Sequence, residues 1–434
     1  MTEYDAVIVG AGVLGLSAAY HISRIRPNDK ILVIEQMGAS GQGNTAKTAA
    51  MFRTFFSTEI GQTLAETSID FYEHLQKKFN IDLKMKWTGY LWLFSEEDFK
   101  DFKPTLKEME RRGLAYQIYS EEELAKKLNV RTQVSNDEEA VFMNLADVEV
   151  GVFAPKAGSM DVDALVKCYE SQFTKQKGKI QFNSKVKNLI IEPCEPLGQA
   201  RFSGEPFFWQ EARITGVDTD KGVIKAKKTI IASGAWAPSF LDAIGVDAQM
   251  KPRKRQMFAV STESGELQKL YWSKSFNKEG CVPLTFLPKL SRTSSRISFS
   301  PHDGNALWLF FSDKFPRAFN HEEDPQPENF NYTYGLYPIL KKYFPQFTGS
   351  KPSLTWAGEC VYTPDSQPIV LEQNDMIVVG GTNGNGIMKA DALGRIVASL
   401  YADQEYATLF GDKEFKVSHL SIEKRRVEPE KYAL

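Results

Sequence analysis

Near its N-terminus the chain reads Tyr4-Asp5-Ala6-Val7-Ile8-Val9-Gly10-Ala11-Gly12-Val13-Leu14-Gly15, an apolar run that carries three spaced glycines. Its first half is typical of a buried parallel strand, and the glycines are expected to open a helix that runs to about Arg24. Gly10 permits a tight turn, Gly12 lets the backbone approach a pyrophosphate, and Gly15 lets the helix pack closely on the strand. Because the N-terminus of such a helix binds phosphate, the whole run predicts a dinucleotide site.

A second strand is predicted over residues 30–34, and it is followed by Glu35 and Gln36. Glu35 lies about 20 residues beyond the last glycine of the turn, where a carboxylate of dinucleotide-binding folds bonds to the adenosine ribose. Strand, turn, helix and terminal acid agree, which favours a dinucleotide site over a glycine-rich turn that only packs on a sheet. The motif by itself does not choose between NAD and FAD.

The composition is that of an ordinary globular protein. With 434 residues, of which 42% are hydrophobic and 25% charged, two lobes are expected. A formal net charge of −2 gives no reason to expect nucleic acid as a partner. Four cysteines without CxxC spacing and five histidines without a ligand pattern predict a reducing compartment and no metal site. Glycines interrupt the apolar residues 6–20, so no transmembrane segment is predicted. The expected location is the cytoplasm, with peripheral attachment to the inner face of a membrane as the alternative.

The segment after the second strand reads Gly41-Gln42-Gly43-Asn44-Thr45-Ala46-Lys47-Thr48-Ala49-Ala50-Met51-Phe52-Arg53 and is polar and rich in small residues. It resembles the loop that wraps the pyrophosphate and flavin in the FAD-dependent family of D-amino-acid, glycine and sarcosine oxidases (the DAO family) and their dye-linked dehydrogenase relatives. NAD-dependent Rossmann proteins usually continue there with another crossover. The resemblance implies FAD, bound without a covalent link, and assigns to this flavin loop the residues Gly43, Asn44, Thr45, Ala46, Lys47 and Thr48.

The resemblance recurs along the chain in the order of the family. It is carried by Trp87-Thr88-Gly89-Tyr90-Leu91, Gly158-Ser159-Met160-Asp161, Ile230-Ile231-Ala232-Ser233-Gly234-Ala235-Trp236, Trp356-Ala357-Gly358 with Thr363-Pro364-Asp365, and Gly381-Thr382-Asn383-Gly384-Asn385-Gly386-Ile387-Met388. Residues 199–211 and 261–330 match poorly. The further residues that the resemblance implies for FAD binding are Val186, Ser233, Gly234, Trp236, Asn383, Gly384, Asn385, Gly386, Ile387 and Met388.

The resemblance implies an α/β fold with a Rossmann-like FAD-binding domain of the GR2 type and a discontinuous antiparallel-sheet substrate domain. The FAD-binding domain is expected at residues 1–84, 149–245 and 351–400, and the substrate domain at residues 85–148 and 246–350. Period-two alternation predicts substrate-domain strands at residues 86–94, 256–261, 297–299 and 306–312. Helical spacing over residues 100–127 predicts a cover for that sheet. Residues 401–434 are expected to form a C-terminal tail that either lies on the surface or folds back over a cleft.

Oxidation at a flavin needs neither a side-chain nucleophile nor a metal, but the pocket must supply a cation for a substrate carboxylate. Arg53 is the first candidate, because the resemblance places a carboxylate-clamping arginine there and a guanidinium pairs with carboxylate through two bonds. A surface arginine, or one paired with flavin phosphate, is the alternative. Met388 occupies the position of the second cation of sarcosine oxidases. Lys389 follows it, about 100° further round a helix.

The strand at residues 306–312 lacks the lysine that related oxidases keep near the flavin, and its Trp308 is a candidate pocket residue. This favours a dehydrogenase that passes electrons to a quinone, a dye or a partner subunit rather than to oxygen. The chain is closest in character to dye-linked L-proline dehydrogenases, so the expected substrate is a small amino or imino acid, with L-proline first. Cys360 lies near the position of a covalent flavin link in some relatives, but a buried inert thiol is expected there.

Three alternatives stay open. The chain resembles sarcosine, glycine and D-amino-acid oxidases as well as dehydrogenases. A dehydrogenase of glycerol 3-phosphate or a 2-hydroxy acid is the second alternative, and a phosphate substrate would need clustered basic residues such as Lys251, Arg253, Lys254 and Arg255. The third is a flavin-carrying electron-transfer subunit of a larger complex.

Overall fold

The structure is a computed structural model that describes residues 3–197, 205–263, 265–273, 275–290, 296–312 and 320–431. Its helices are α1 (Val13–Ile25), α2 (Glu59–Phe79), α3 (Glu96–Arg111), α4 (Glu121–Leu128), α5 (Glu138–Phe142), α6 (Val162–Lys175), α7 (Ala237–Asp242), α8 (Glu266–Tyr271), α9 (Tyr337–Tyr343) and α10 (Ala390–Tyr401). Its strands are β1 (Tyr4–Val9), β2 (Ile31–Ile34), β3 (Met51–Arg53), β4 (Tyr90–Phe94), β5 (Gln117–Ser120), β6 (Val150–Ala154), β7 (Ala157–Ser159), β8 (Lys179–Gln181), β9 (Val186–Pro193), β10 (Ala212–Thr219), β11 (Gly222–Ile231), β12 (Lys251–Ser261), β13 (Leu284–Phe286), β14 (Arg296–His302), β15 (Ala306–Ser312), β16 (Pro352–Tyr362), β17 (Ile369–Gln373), β18 (Met376–Gly380), β19 (Tyr406–Leu409) and β20 (Lys413–Lys416).

The first sheet carries the nucleotide-binding fold that the N-terminal run predicts. Its strand order is β17-β18-β11-β1-β2-β8, and the strands from β18 to β8 run parallel to their neighbours. β9 and β10 pair with each other and extend the sheet from the first half of β11. Because β1 lies between β11 and β2, its carboxyl end opens where doubly wound sheets bind nucleotides.

The second sheet has the order β16-β12-β15-β14-β13-β4-β6-β5. It contains the four predicted substrate-domain strands as β4, β12, β14 and β15. The sheet is antiparallel, as expected, except that β13 pairs with β4 in parallel. These two strands lie far apart in the sequence, so no hairpin turn forces them into antiparallel pairing. The predicted α/β fold class, with a Rossmann-like domain and a substrate sheet, is confirmed.

Residues 100–127 differ from the expected helical cover. α3 ends before Gly113, whose φ of 80° is left-handed, and the chain then forms the edge strand β5. α4 begins at a capping box in which the side chains of Ser120 and Glu123 each bond to the backbone of the other residue. The left-handed Gly113 ends one helix and the capping box begins the next, so the segment is not the continuous helix that its charge pattern predicts.

Around the first sheet, α1 packs against α10 through a buried polar network. Asp391 is fully buried, and its Oδ1 lies 2.7 Å from His21 Nε2. The Nε of Arg395 donates to the other carboxylate oxygen at 2.7 Å. The Ser17 hydroxyl donates to the carbonyl oxygen of Ala390 at 2.8 Å, which ties the start of α10 to α1. The network connects residues that are about 370 positions apart in the sequence.

The C-terminal part begins as an integral piece of the first lobe. β19 and β20 form a hairpin whose inward residues are buried in the same core as α1 and α10. Residues 421–431 then cross the molecule to the start of α2, where Glu430 is buried. Of the two expectations for the tail, folding back agrees with this path. The strands of the first sheet lie within the pieces expected for the FAD-binding domain, whereas β6 and β16, at the margins of those pieces, pair in the second sheet. The domain boundaries stay a prediction.

The contact between α1 and β1 can be tested by adding one methyl group. A Cβ on Gly15 would lie 2.0 Å from the carbonyl oxygen of Gly10, so Gly15→Ala must push the helix off the strand. We expect the free energy of unfolding to fall by about 1–3 kcal/mol, measured by thermal unfolding of the FAD-free protein. Gly335→Ala is the matched control, because a Cβ at this helical glycine would meet no atom within 4 Å. Equal unfolding midpoints for the two variants would contradict the close contact.

Candidate functional site

A cavity of about 650 Å3 opens at the carboxyl end of β1, between the first sheet and the strands β12 and β16 of the second. This volume is in the range of cofactor and small-molecule sites. Most of the residues predicted for the cofactor lie on its wall. They are Gly10, Gly12, Val13, Leu14, Glu35, Gln36, Gly43, Asn44, Thr45, Lys47, Thr48, Val186, Ser233, Gly234, Trp236, Gly384, Gly386 and Ile387.

The glycine turn brings the N-terminus of α1 to this cavity. Gly10 has a φ of 103°, and a Cβ there would lie 2.8 Å from the carbonyl oxygen of Ala232, so a side chain has no room. Gly12 is the N-cap residue of α1 and supplies no capping side chain. The N–H of Val13 donates instead to Thr45 Oγ1 at 3.2 Å, which attaches the flavin loop to the start of the helix. The positive end of the helix dipole therefore faces the cavity, an arrangement that suits phosphate groups.

Glu35 stands at the end of β2 on the same wall. Its Oε2 accepts the N–H of Ala11 at 2.8 Å, and its Oε1 accepts the N–H of Met37 at 2.9 Å. Two backbone donors thus hold the carboxylate in place, and each oxygen keeps a further lone pair for a ribose hydroxyl.

Ser233 supplies a direct sign that the cavity takes a polar ligand. Its hydroxyl oxygen is buried on the cavity wall and has no hydrogen-bond partner within the described ranges. Leaving a buried hydroxyl unsatisfied costs about 1–3 kcal/mol, which a ligand with hydrogen-bonding groups removes. The helix N-terminus, the carboxylate and this hydroxyl together fit the phosphates and ribose of FAD.

Other predicted cofactor residues lie behind the wall rather than on it. Asn383 Oδ1 accepts the N–H of Thr363 at 3.0 Å, and Asn385 Nδ2 donates to the carbonyl oxygen of Asn383 at 3.0 Å. These amides shape the glycine loop that contributes Gly384 and Gly386 to the cavity. Ala11, Gly15, Ala46 and Met388 are likewise placed off the wall, and Met388 is buried in the core of the first lobe.

Part of the wall comes from residues that the sequence did not point to. His321 Nδ1 lies 2.6 Å from Glu359 Oε2, and both residues line the cavity together with Glu323. Lys185 Nζ pairs with Glu323 at 2.7 Å, and Lys47 Nζ pairs with Asp324 at 3.1 Å. The acidic run at residues 321–324 belongs to the poorly matched region. Its role becomes visible only when the fold brings it opposite these two lysines.

A second cluster is formed by buried residues that follow cavity-lining residues in the sequence but do not themselves line the cavity. Arg53 ends β3, and Lys389 is the N-cap residue of α10; both are fully buried. Arg53 Cζ lies 4.5 Å from the centre of the Phe56 ring, and Lys389 Nζ lies 4.4 Å from the centre of the same ring. We call these two cations the Arg53–Lys389 pair. Thr48 and Ile387, which line the cavity, lie five and two residues before them.

Lys389 is placed where simple helix geometry would not put it. Its φ of −123° and ψ of 0° lie outside the regular helix, so the 100° rotation expected between Met388 and Lys389 does not apply. Its Nζ has no hydrogen-bond partner in the described part of the chain. Burial lowers the pKa of Lys389 to about 8, a shift that Arg53 reinforces and Glu430 opposes. A buried ammonium without a bonded acceptor is costly and indicates a site for an anion.

Aromatic residues of β4 complete this cluster. The Tyr90 hydroxyl is buried without a hydrogen-bond partner in the described ranges, and burial raises its pKa far above the usual value. Arg53 Cζ lies 5.7 Å from the centre of the Trp92 ring, which also stacks on Phe286. The rings of Phe56, Tyr90 and Trp92 therefore cover part of the surface of the two cations, and such an apolar surrounding strengthens any charge interaction inside.

Trp308 lies further away, on the sheet beside the flavin loop. It stacks on His302 at 3.6 Å between ring centres and meets Trp356 edge-on at 4.7 Å. The indole N–H of Trp356 donates to the carbonyl oxygen of Lys47 at 3.2 Å. Trp308 thus supports the flavin loop through Trp356, and its part in a substrate pocket stays a prediction.

Cys360 lies on β16 at the cavity wall, and burial raises the pKa of its thiol. A raised pKa keeps the sulfur in its less reactive protonated form. Non-covalent binding of FAD stays a prediction. In the described segments, no group of histidine, cysteine, aspartate and glutamate side chains is arranged to hold a metal ion. None of their helices is long and apolar enough to cross a membrane.

The comparison with known proteins agrees with this geometry. Residues 5–400 match the family model of FAD dependent oxidoreductases (DAO). The chain belongs to this family. The protein is therefore an oxidoreductase and its cofactor is FAD, as the sequence predicts. The chain is 22% identical to FAD-dependent oxidoreductase domain-containing protein 1 of Bos taurus (93% of this chain, 82% of that protein) and 23% identical to a putative sarcosine oxidase of Caenorhabditis elegans (96% and 100%). The crystal structure of L-proline dehydrogenase from P. horikoshii shares the fold, with a TM-score of 0.72 at 19% identity over 96% of each chain.

Glu35 offers a test of the FAD site. Glu35→Ala removes the acceptor of two backbone N–H groups and the partner for the ribose, so we expect FAD affinity to fall at least about tenfold. Titrating the FAD-free protein with FAD, followed by flavin fluorescence, measures the Kd. Glu195→Ala changes an exposed carboxylate and serves as the control. An unchanged Kd for Glu35→Ala would remove this carboxylate from the site.

Proposed function

We propose that this FAD-dependent oxidoreductase is a dehydrogenase that oxidises the C–N bond of a small amino or imino acid, with L-proline as the first substrate to test. The observation that carries the proposal is the Arg53–Lys389 pair. Two cations that are both fully buried, and that share one aromatic ring, form a site with the charge and dryness that a substrate carboxylate needs.

The pair has the right chemistry for a carboxylate. The planar guanidinium of Arg53 can donate two parallel hydrogen bonds, and the ammonium of Lys389 adds a point charge with three donors. Burying a cation away from water is costly, and an anion that enters the site compensates this cost. The affinity for a carboxylate therefore comes from charges already in position before the substrate arrives.

The surrounding residues suit amine oxidation. The chemistry that bound FAD would supply is the uptake of a hydride from the substrate carbon; loss of a proton from nitrogen would then leave an imine that water hydrolyses. The chain has to hold the carboxylate, present the adjacent carbon and keep the site dry. Phe56, Tyr90 and Trp92 supply apolar walls, which also suit the ring of proline. The likeness to proteins named as sarcosine oxidase and L-proline dehydrogenase supports an amino-acid substrate with a secondary amine.

The preference for a dehydrogenase rests on β15, which carries no lysine among Ala306–Ser312. In the proposal, electrons pass to a quinone, a dye or a partner subunit. Two members of the basic cluster on β12, Lys254 and Arg255, already bind protein groups, which argues against a phosphate substrate. Lys254 Nζ lies within 3.5 Å of Glu322 and Glu328, and Arg255 Nε donates to the Tyr362 hydroxyl at 2.9 Å.

An anaerobic substrate screen tests the proposal. L-Proline should bleach the flavin absorbance of the purified holoenzyme and support dye reduction, whereas air should give little peroxide. The Arg53→Met variant tests the carboxylate site separately. Its KM for the substrate should rise at least about tenfold, because the bidentate contact is lost. Arg24→Met, which removes an exposed arginine of α1, should leave KM unchanged. Bleaching only by another amine would reject proline, rapid peroxide release would reject the dehydrogenase, and an unchanged KM in Arg53→Met would reject the carboxylate site.

The pKa of Lys389 leads to a separate prediction about pH. Below about pH 8 the side chain is charged and attracts an anion; above that value it loses its proton, so carboxylate affinity should decline as pH rises. Binding of acetate to the holoenzyme, followed by the flavin absorbance between pH 6.5 and 9.5, measures this. Tyr90 does not interfere, because its raised pKa keeps it neutral over this range. Lys389→Met should show weaker binding with no step near pH 8. The same step in both proteins would assign it to another group.

A further inference from the structure

The C-terminal tail is fastened across the molecule by side chains from the segment after β16. Arg425 pairs with Asp365 through two bonds, one of them 2.8 Å from Nη2 to Oδ1. The N–H of Glu430 donates to the carbonyl oxygen of Asp365 at 2.9 Å, and Gln367 Nε2 donates to the carbonyl oxygen of Glu428 at 3.3 Å. These bonds hold Glu430 beside the loop that joins β3 to α2.

The carboxylate of Glu430 is buried and fully bonded in this place. Its Oε1 accepts the N–H of Ser57 at 2.9 Å and the Ser57 hydroxyl, and its Oε2 accepts the N–H of Thr58 at 3.2 Å and the Thr58 hydroxyl at 3.0 Å. Only 5% of Glu430 is exposed. Burial by itself would raise its pKa, but the Ser57 bonds and the charges of Arg53 and Lys389 outweigh burial and lower it. The side chain is therefore an anion at neutral pH.

The charges around the pair come from several elements. Arg53 is on β3, Lys389 caps α10, and Glu430 comes from the tail. The charge of Glu430 raises the pKa of both cations, and both cations lower the pKa of Glu430. Tyr90 on β4 is neutral. Arg112, next to α3, donates to two backbone carbonyl oxygens of the loop before α2, at 2.9 Å each. Glu430 is thus the carboxylate that balances one of the two cations of the pair.

We infer that Glu430 is a positioning and specificity-determining residue, a built-in counter-charge that makes the Arg53–Lys389 pair select substrates with one carboxylate over substrates with two. This inference rests on the proposed function, because it assumes that the pair binds the substrate carboxylate. Among the described residues, the buried charged side chains of this cluster are two cations and one fixed anion, which leave a single positive charge; Arg112 is only half-buried and bonds to backbone oxygens. One substrate carboxylate neutralises that charge, whereas a second carboxylate would be buried without a partner.

The hydrogen bonds of Glu430 show that it is a fixed counter-charge and not a group that a substrate must displace from the pair. Both of its oxygens are bonded to Ser57 and Thr58, at the N-terminus of the long helix α2, where a negative charge is also stabilised by the helix dipole. A substrate therefore has no need to displace Glu430. The tail stays docked while the pair changes its ligand.

The experiment compares the binding of acetate and malonate to the holoenzyme at neutral pH, through the change in flavin absorbance. Glu430→Gln keeps the size of the side chain but removes the charge, so the affinity for malonate relative to acetate should rise at least about fivefold. Glu428→Gln is the matched control two residues away, because that side chain is exposed, and its ratio should equal that of the unmodified protein. Equal ratios in Glu430→Gln and Glu428→Gln would overturn the inference.

A double variant separates charge from loss of structure. Lys389→Met combined with Glu430→Gln removes one charge of each sign, so the malonate-to-acetate ratio should return to within about twofold of the unmodified protein. If the ratio stays shifted in the double variant, a displaced tail is the cause and the inference is wrong. The proposed function fails separately: it does so if the unmodified holoenzyme binds neither anion, or if Arg53→Met binds both as well as the unmodified protein does.

Discussion

The contact of α1 with β1 is the constraint on which the nucleotide site depends. Because nothing larger than hydrogen fits on Gly15 beside the carbonyl oxygen of Gly10, the helix begins directly at the end of the strand. Every other part of the site is attached to that point. Thr45 binds the first N–H of the helix, and Glu35 binds the N–H of Ala11 within the turn. One packing distance thus sets the positions of the N-terminus of α1, the Glu35 carboxylate and the flavin loop.

The flavin loop is also the place where the two lobes join. Asn44 Oδ1 accepts the N–H of Glu359 at 2.7 Å, and a Cβ on Gly358 would lie 2.9 Å from the Cβ of Lys47. β16 therefore lies directly against a loop that belongs to the first lobe. Since β16 is the edge strand next to β12, the second sheet reaches the cofactor through its edge. The cavity has one wall from each lobe, and the loop contacts both.

The sequence was sufficient for the features that short-range rules control. The glycine turn, β1, β2 and Glu35 follow from spacing, and the flavin loop follows from its resemblance to a known family. The directions of the side chains did not follow. Asn383 Oδ1 accepts the N–H of Thr363, and Asn385 Nδ2 donates to the carbonyl oxygen of Asn383, so both amides bond to protein groups behind the cavity wall. The rotation of about 100° per residue did not predict the direction of the Lys389 side chain, because Lys389 precedes the first residue of the helix. Glu430 gave no signal at all, since its partners Ser57 and Thr58 are more than 370 positions away.

That distance has a consequence for how the molecule is made. Glu430 leaves the ribosome after every other member of the buried cluster, and N-terminal parts of a chain generally fold first. Until the tail docks, the charge of Glu430 is missing beside Arg53 and Lys389, and burying these two cations is then less favourable. The Rossmann-like lobe can therefore assemble its N-terminal strands early, whereas the cluster around Arg53 and Lys389 is completed only when residues 421–431 dock. In this protein the segment that carries Glu430 finishes a cluster whose first member, Arg53, is synthesised almost 380 residues earlier.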